Sequence, residues 1–149
     1  ACRIDTLTER LDEAQLNALL PQCQAVVDCC DNFATRQAVN HAAVACKTPL
    51  ISGAAVRFEG QLAVYRSDTD DSPCYACLFD MPHADDGACA VFGVFSPLVG
   101  VIGAAQAAET LKVLLGLPSP VGVLQCYNAL SGEWQRFRFG KNPQCRVCG

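Results

Sequence analysis

Four cysteines in two Cys-x-x-Cys turns, Cys74-Tyr75-Ala76-Cys77 and Cys145-Arg146-Val147-Cys148, carry the most specific chemical signal in the chain. In such a turn the two intervening residues fold the backbone so that both sulfurs face one side, and two turns together supply the four thiolates of a closed tetrahedral site. A closed site leaves no position for substrate. The spacing therefore predicts a structural zinc ion held by Cys74, Cys77, Cys145 and Cys148, a clamp between the tail and the middle of the chain. Two redox dithiols or unconnected core cysteines are the alternatives. A redox pair of the thioredoxin type needs its first cysteine at a helix N-terminus, whereas Cys74 follows a polar Asp/Ser/Pro loop.

Two further residues have types suited to chemistry. Asp31 follows the apolar run Ala25–Cys30, where open α/β sheets place ligand-binding residues, and it precedes the donor-rich start of a helix from Phe33. A carboxylate there can hold Mg2+ on a nucleotide; alternatively, Asp31 and Asn32 merely cap the helix. Cys89 lies in a polar loop between Gly87 and Gly93, the kind of exposed thiol that could attack an activated acyl group. Its neighbours Asp80, Asp85 and Asp86 favour the neutral thiol, and only His83 offers a base.

The elements that must position these residues follow from periodicity. Cys2–Leu7 alternates weakly and predicts a short strand. Thr8–Leu20 carries Leu11, Leu16, Leu19 and Leu20 at helical spacing, with Asp12 as a cap and Pro21 as a stop. Ala25–Cys30 is too brief for a helix and predicts a strand buried on both faces. Phe33–Lys47 predicts a helix capped by Asn32, and Pro49–Val56 a second strand, parallel to the first. Leu62–Tyr65 follows too closely for a crossover and should pair antiparallel. Phe79–Ala90 has no period and predicts a mobile loop, with Cys89 the most accessible thiol outside the metal site. Ser96-Pro97 starts a long helix, with Ser96 as its cap and Gly116 as its stop; being apolar nearly all round it should be buried, with Gly100 and Gly103 packed against another backbone. Val123–Tyr127 and Trp134–Phe139 form a hairpin about Ser131-Gly132. The fold class expected is thus α/β, a partial Rossmann-like sheet whose parallel strands are continued by antiparallel ones.

With 149 residues the chain is one domain by length. Its net charge of -4 gives no basic footprint for nucleic acid. Pro97–Leu117, the best membrane candidate, is interrupted by Gln106, Glu109 and Lys112 and reads as a core helix. Eleven cysteines are an odd number, most of them scattered in apolar runs, which points to a reducing, cytoplasmic compartment rather than a disulfide framework.

The segments Asp28-Cys29-Cys30-Asp31-Asn32-Phe33-Ala34-Thr35-Arg36, Pro49–Ala55 with Glu59-Gly60-Gln61, Cys74–Cys77, Gly93–Gly100 and Cys145–Gly149 together resemble the ubiquitin-activating-enzyme-like family in its bacterial MoeB, ThiF and HesA form. The resemblance runs end to end. It implies an adenylyltransferase that uses ATP and Mg2+ to activate the C-terminal glycine of a ubiquitin-like sulfur carrier, as in molybdopterin or thiamin biosynthesis. Asp31 then matches the aspartate that serves Mg-ATP, the four cysteines match the zinc ligands, and Cys89 matches a loop cysteine used by some members in sulfur transfer. A homodimer is implied as well. The chain has no G-x-G-x-x-G turn to cradle phosphate, so residues 1–149 resemble the C-terminal portion of such an adenylation domain, with half of the ATP pocket. Two other functions compete with this one: a non-catalytic zinc-stabilised module binding a ubiquitin-like protein or a like subunit, and a thiol redox protein.

Overall fold

The computed structural model describes residues 2–80 and 92–149. In chain order these form α1 (Glu13–Leu19), a 3-10 turn (Leu20–Gln22), β1 (Val26–Asp28), α2 (Phe33–Ala45), β2 (Leu50–Val56), β3 (Glu59–Tyr65), α3 (Tyr75–Leu78), α4 (Ser96–Leu114), β4 (Val123–Asn128) and β5 (Glu133–Arg138). The strands make one sheet in the order β1-β2-β3-β4-β5. Only β1 and β2 are parallel, joined through α2; the remaining pairs are antiparallel.

Successive side chains on a strand point to opposite faces, and the two central strands use both. Leu50, Ala63 and Tyr65 face one side, where they meet Leu16 and Leu20 from the α1 region and Val39, Ala42 and Ala43 of α2. Ile51, Leu62 and Val64 face the other, against Ala105 and Val113 of α4. The result is helices on both faces of a mixed sheet. α1 begins with a capping box: Asp12 accepts from Gln15 N at 2.8 Å, and the Gln15 side chain accepts from Asp12 N at 2.9 Å. Asn32 caps α2, accepting from Thr35 N at 2.8 Å.

Several expectations are corrected. Cys2–Leu7 forms no strand and is exposed throughout. β1 is shorter than the apolar run and is the edge of the sheet among the described residues, with Val27 42% exposed, so it is not buried on both faces. α4 starts as predicted, but its cap is Phe95, whose N–H is held by Arg57 O at 2.8 Å, rather than Ser96. Gly116, at φ 66, ends it as expected. α4 is apolar all round without being buried all round: Leu98, Ile102 and Gln106 face the sheet, while Val99, Leu111 and Leu114 are exposed. It is also long and apolar enough to cross a membrane by length and composition. Nor do its own glycines make the close approach. A Cβ at Gly100 or Gly103 would meet nothing among the described residues, whereas one at Gly53 of β2 would run into the Gln106 amide, and one at Gly60 of β3 into Ile102 and Leu98. The thinning that admits α4 lies in the sheet, because two packed surfaces need it on only one side.

Candidate functional site

The four cysteines of the two turns converge. Cys74 and Cys145 sulfurs are 3.7 Å apart, those of Cys77 and Cys148 3.4 Å, and all four lie within 4.8 Å of one another. A tetrahedron with metal–sulfur bonds of about 2.3 Å has sulfur–sulfur edges of about 3.8 Å, so the set fits a zinc-sized ion. Cys74 and Cys145 are buried. Backbone and side-chain N–H groups point at the sulfurs: Asn142 N donates to Cys77 Sγ at 3.4 Å, and Asn40 Nδ2 to Cys74 Sγ at 3.7 Å. Burial pushes the Cys74 thiol up and does the same at Cys148, where the neighbouring thiols add to it. At Cys145 burial is outweighed by the N–H groups of Cys148 and Val147 and by the thiols of Cys74 and Cys77, which hold it down to about 7. A metal must displace the remaining protons, so its binding strengthens as pH rises. Contrary to the expectation from sequence, Cys74 does stand at a helix N-terminus, as the cap of the one-turn helix α3. What favours the metal is the convergence of four sulfurs, which two separate dithiols do not require.

A cavity of about 660 Å³ opens beside the C-terminal end of β1, within the size range of small-molecule sites. Asp31, Asn32, Arg36, Gly53, Tyr75 and Gln106 are among its lining residues. Asp31 is exposed at its rim and receives Asn32 Nδ2 at 3.4 Å. Asn32 alone caps α2, so of the two roles open to Asp31 the cap is already taken.

Beneath Asp31 lies a buried polar network that the sequence reading did not identify. Arg36 Nη1 donates to Asp28 Oδ2 at 2.9 Å and to Ser52 Oγ at 3.0 Å; Nη2 donates to Gly53 O at 2.8 Å and to Cys30 O. Asp28 Oδ1 accepts from Cys30 N at 2.9 Å, and Ser52 Oγ donates to Asp28 Oδ2 at 3.0 Å. Arg36 thus staples the turn that carries Asp31 to the first strand, β1, and to its neighbour β2. Its charge is spent on Asp28, leaving Asp31 as the carboxylate presented to the cavity at the end of β1, with Glu59 of β3 a second acid on the cavity wall. Gln106, reaching from α4, donates to Asp28 O at 2.9 Å and Ile51 O at 3.3 Å, and its Oε1 accepts from Cys29 Sγ at 3.5 Å. Burial and the Asp28 carboxylate push the Cys30 thiol up to about 12, so Cys30 is neutral at physiological pH. A signal for Gln106 existed: it stands in phase with Leu98 and Ile102, and a polar residue on a core stripe needs a buried partner.

Cys89 lies outside the described residues, as does most of the loop predicted for Phe79–Ala90. Cys2, Cys23 and Cys29 are exposed thiols.

The chain matches the ThiF family over residues 1–147. It is 41% identical over 140 residues to the molybdopterin-synthase adenylyltransferase of Escherichia coli K12, covering 93% of this chain and 56% of that protein. It is 37% identical over 147 residues to the sulfur carrier protein ThiS adenylyltransferase of the same organism, covering 99% of this chain and 58% of the relative. The crystal structure of E. coli MccB with ATP superposes with a TM-score of 0.74 at 22% identity, over 93% of this chain and 42% of that one; that likeness concerns the fold. The chain spans somewhat more than half the length of the first two relatives.

Proposed function

The chain belongs to the ThiF family, and on that premise we propose that it is part of an ATP-dependent adenylyltransferase activating the C-terminal glycine of a ubiquitin-like sulfur carrier. Residues 1–149 are read as the C-terminal portion of an adenylation domain. The observation that carries the reading is the pairing of two acids at one strand end. Asp28 is neutralised by Arg36, while Asp31 stands at the rim of the cavity. A carboxylate so placed suits Mg2+ on a nucleotide better than bare phosphate, which it would repel. ATP would supply the activated phosphorus at which the carrier carboxylate displaces pyrophosphate. The chain's own part is to present Asp31 on a turn fixed by Arg36, and to wall the cavity with Tyr75 and Phe79. Structural zinc is assigned to Cys74, Cys77, Cys145 and Cys148. Cys89 is assigned, through the family resemblance, to sulfur transfer.

The relatives named for molybdopterin synthase and for ThiS support a sulfur carrier as the partner. A homodimer is supported by the exposed apolar residues of α4, and a reducing, cytoplasmic compartment by the free thiols among the described residues. Carrier-dependent ATP–pyrophosphate exchange by a complete adenylation domain containing these residues tests the proposal. Losing one preorganised contact costs about a hundredfold or more in rate, so Asp31→Ala should lower exchange by that factor while zinc content is unchanged. Exchange that survives Asp31→Ala undiminished removes Asp31 from the site. Residues 1–149 alone should bind a carrier but catalyse no exchange.

A further inference from the structure

The metal cluster and the cavity share one short wall. α3 is capped by Cys74 and contains Cys77, both in the cluster, while Tyr75 within it and Phe79 just past its end line the cavity. The rings of Tyr75 and Phe79 pack with 4.7 Å between centroids, tilted by 32°, and Tyr75 also meets Phe33 at the start of α2. Behind this wall stands Asn40 of α2, 0% exposed. Its Oδ1 accepts the Tyr75 N–H at 2.9 Å. That bond fixes the amide's orientation and leaves Nδ2 to donate to Cys74 Sγ at 3.7 Å. One helical turn earlier, Arg36 braces the turn that carries Asp31.

We propose that Asn40 is a positioning residue that couples the cluster to the cavity: with metal bound, Nδ2 donates to the Cys74 thiolate while Oδ1 holds the Tyr75 amide, so that filling the cluster fixes the Tyr75–Phe79 wall. The inference rests on the metal reading of the four cysteines. A hydrogen bond to a thiolate is charge-assisted and stronger than one to a thiol, so metal loading tightens the contact. By linkage, the contact strengthens metal binding to the same extent. A residue that only filled space would show no such dependence.

Zinc affinity, measured by competition with a chromogenic chelator, tests this in the parent chain, in Asn40→Ala and in Asn40→Asp. The aspartate keeps an acceptor for the Tyr75 amide but sets a carboxylate, not a donor, against the sulfur. Both variants should bind zinc about 10–100-fold more weakly, the usual cost of losing an outer-shell partner. At saturating zinc, slow hydrogen exchange of the Tyr75 amide should survive in Asn40→Asp and be lost in Asn40→Ala. A measurement on the parent needs no substitution. When it is loaded with an NMR-active cadmium isotope, the Asn40 Nδ2 protons should show scalar coupling to the metal through the N–H···S bond. Variant affinities within about threefold of the parent, well short of an outer-shell effect, or no such coupling, overturn the role of Asn40. A parent that binds neither zinc nor cadmium overturns instead the metal reading beneath it.

Discussion

α2 and α4 lie on opposite faces of the same sheet and invert the usual relation between composition and burial. α2 buries Arg36 and Asn40, 8% and 0% exposed, in company with Val39, Ala42 and Ala43. α4 is the more apolar, yet Leu111 and Leu114 are 59% and 46% exposed, and of its three buried residues one is Gln106. Burial here follows partners rather than hydrophobicity. Arg36 finds a carboxylate, a hydroxyl and two carbonyls, and Asn40 a sulfur and an amide, so each is satisfied away from water. The outer face of α4 has no partner among the described residues. α2 stands between the cluster and the cavity and is held by several buried polar contacts, whereas α4, which reaches the cavity and β1 through Gln106, covers the sheet with one stripe.

The contrast can be broken at its strongest point by removing metal from the cluster beside α2. We expect one zinc per chain, and its removal by a strong chelator, or by Cys145→Ser with Cys148→Ser, should cost on the order of 10 kcal/mol of folding free energy. Metal analysis with circular dichroism checks this, and metal retained by the double variant would dismiss the cluster. Next in size is Arg36→Met. Leaving Asp28 buried without its partner should cost about 3–5 kcal/mol, a fall in Tm of roughly 6–20 °C for a chain of this length. Adding Asp28→Leu should recover part of the loss in the same melting experiment, because the orphaned charge goes with it. A smaller effect is expected where α4 meets the sheet. Gly53→Ala drives a methyl into the Gln106 amide and should cost about 1–3 kcal/mol in thermal unfolding, as overpacking does; full stability would mean that Gln106 does not hold α4 at that point. The smallest effect belongs to the outer face of α4. Leu111→Gln with Leu114→Gln should each change the stability of a monomer by no more than about 0.5 kcal/mol, while sedimentation shows a parent dimer shifted toward monomer. A large stability loss without any change in sedimentation would place that face inside the chain's own core.

Much of this was legible because it depends on neighbours in sequence. The Cys-x-x-Cys turns, the Asn32 cap, the Gly116 stop and the β4–β5 hairpin each rest on residues a few positions apart, where local geometry leaves little choice. The site was half legible. Asp31 stood out as an acid after a strand, but its partner in the strand, Asp28, and the cation that separates their roles did not, since an ion pair between positions 28 and 36 has no local signature. Asn40 has no local signature either, since its partners Cys74 and Tyr75 lie 34 and 35 positions away.

The sequence by itself determined the order from α1 to β5 apart from α3, the parallel-to-antiparallel change at β2, and the two turns that supply the sulfurs, because turn chemistry and hydrophobic period act over a few residues. Only the tertiary structure decided which face of α4 is covered, that Gly53 and Gly60 rather than Gly100 and Gly103 admit it, and that Arg36 neutralises one acid and leaves the other to the cavity. Those outcomes depend on groups up to 78 positions apart, as in the bond from Gln106 to Asp28. Burial and charge pairing are properties of the environment assembled around a residue, which no local pattern records.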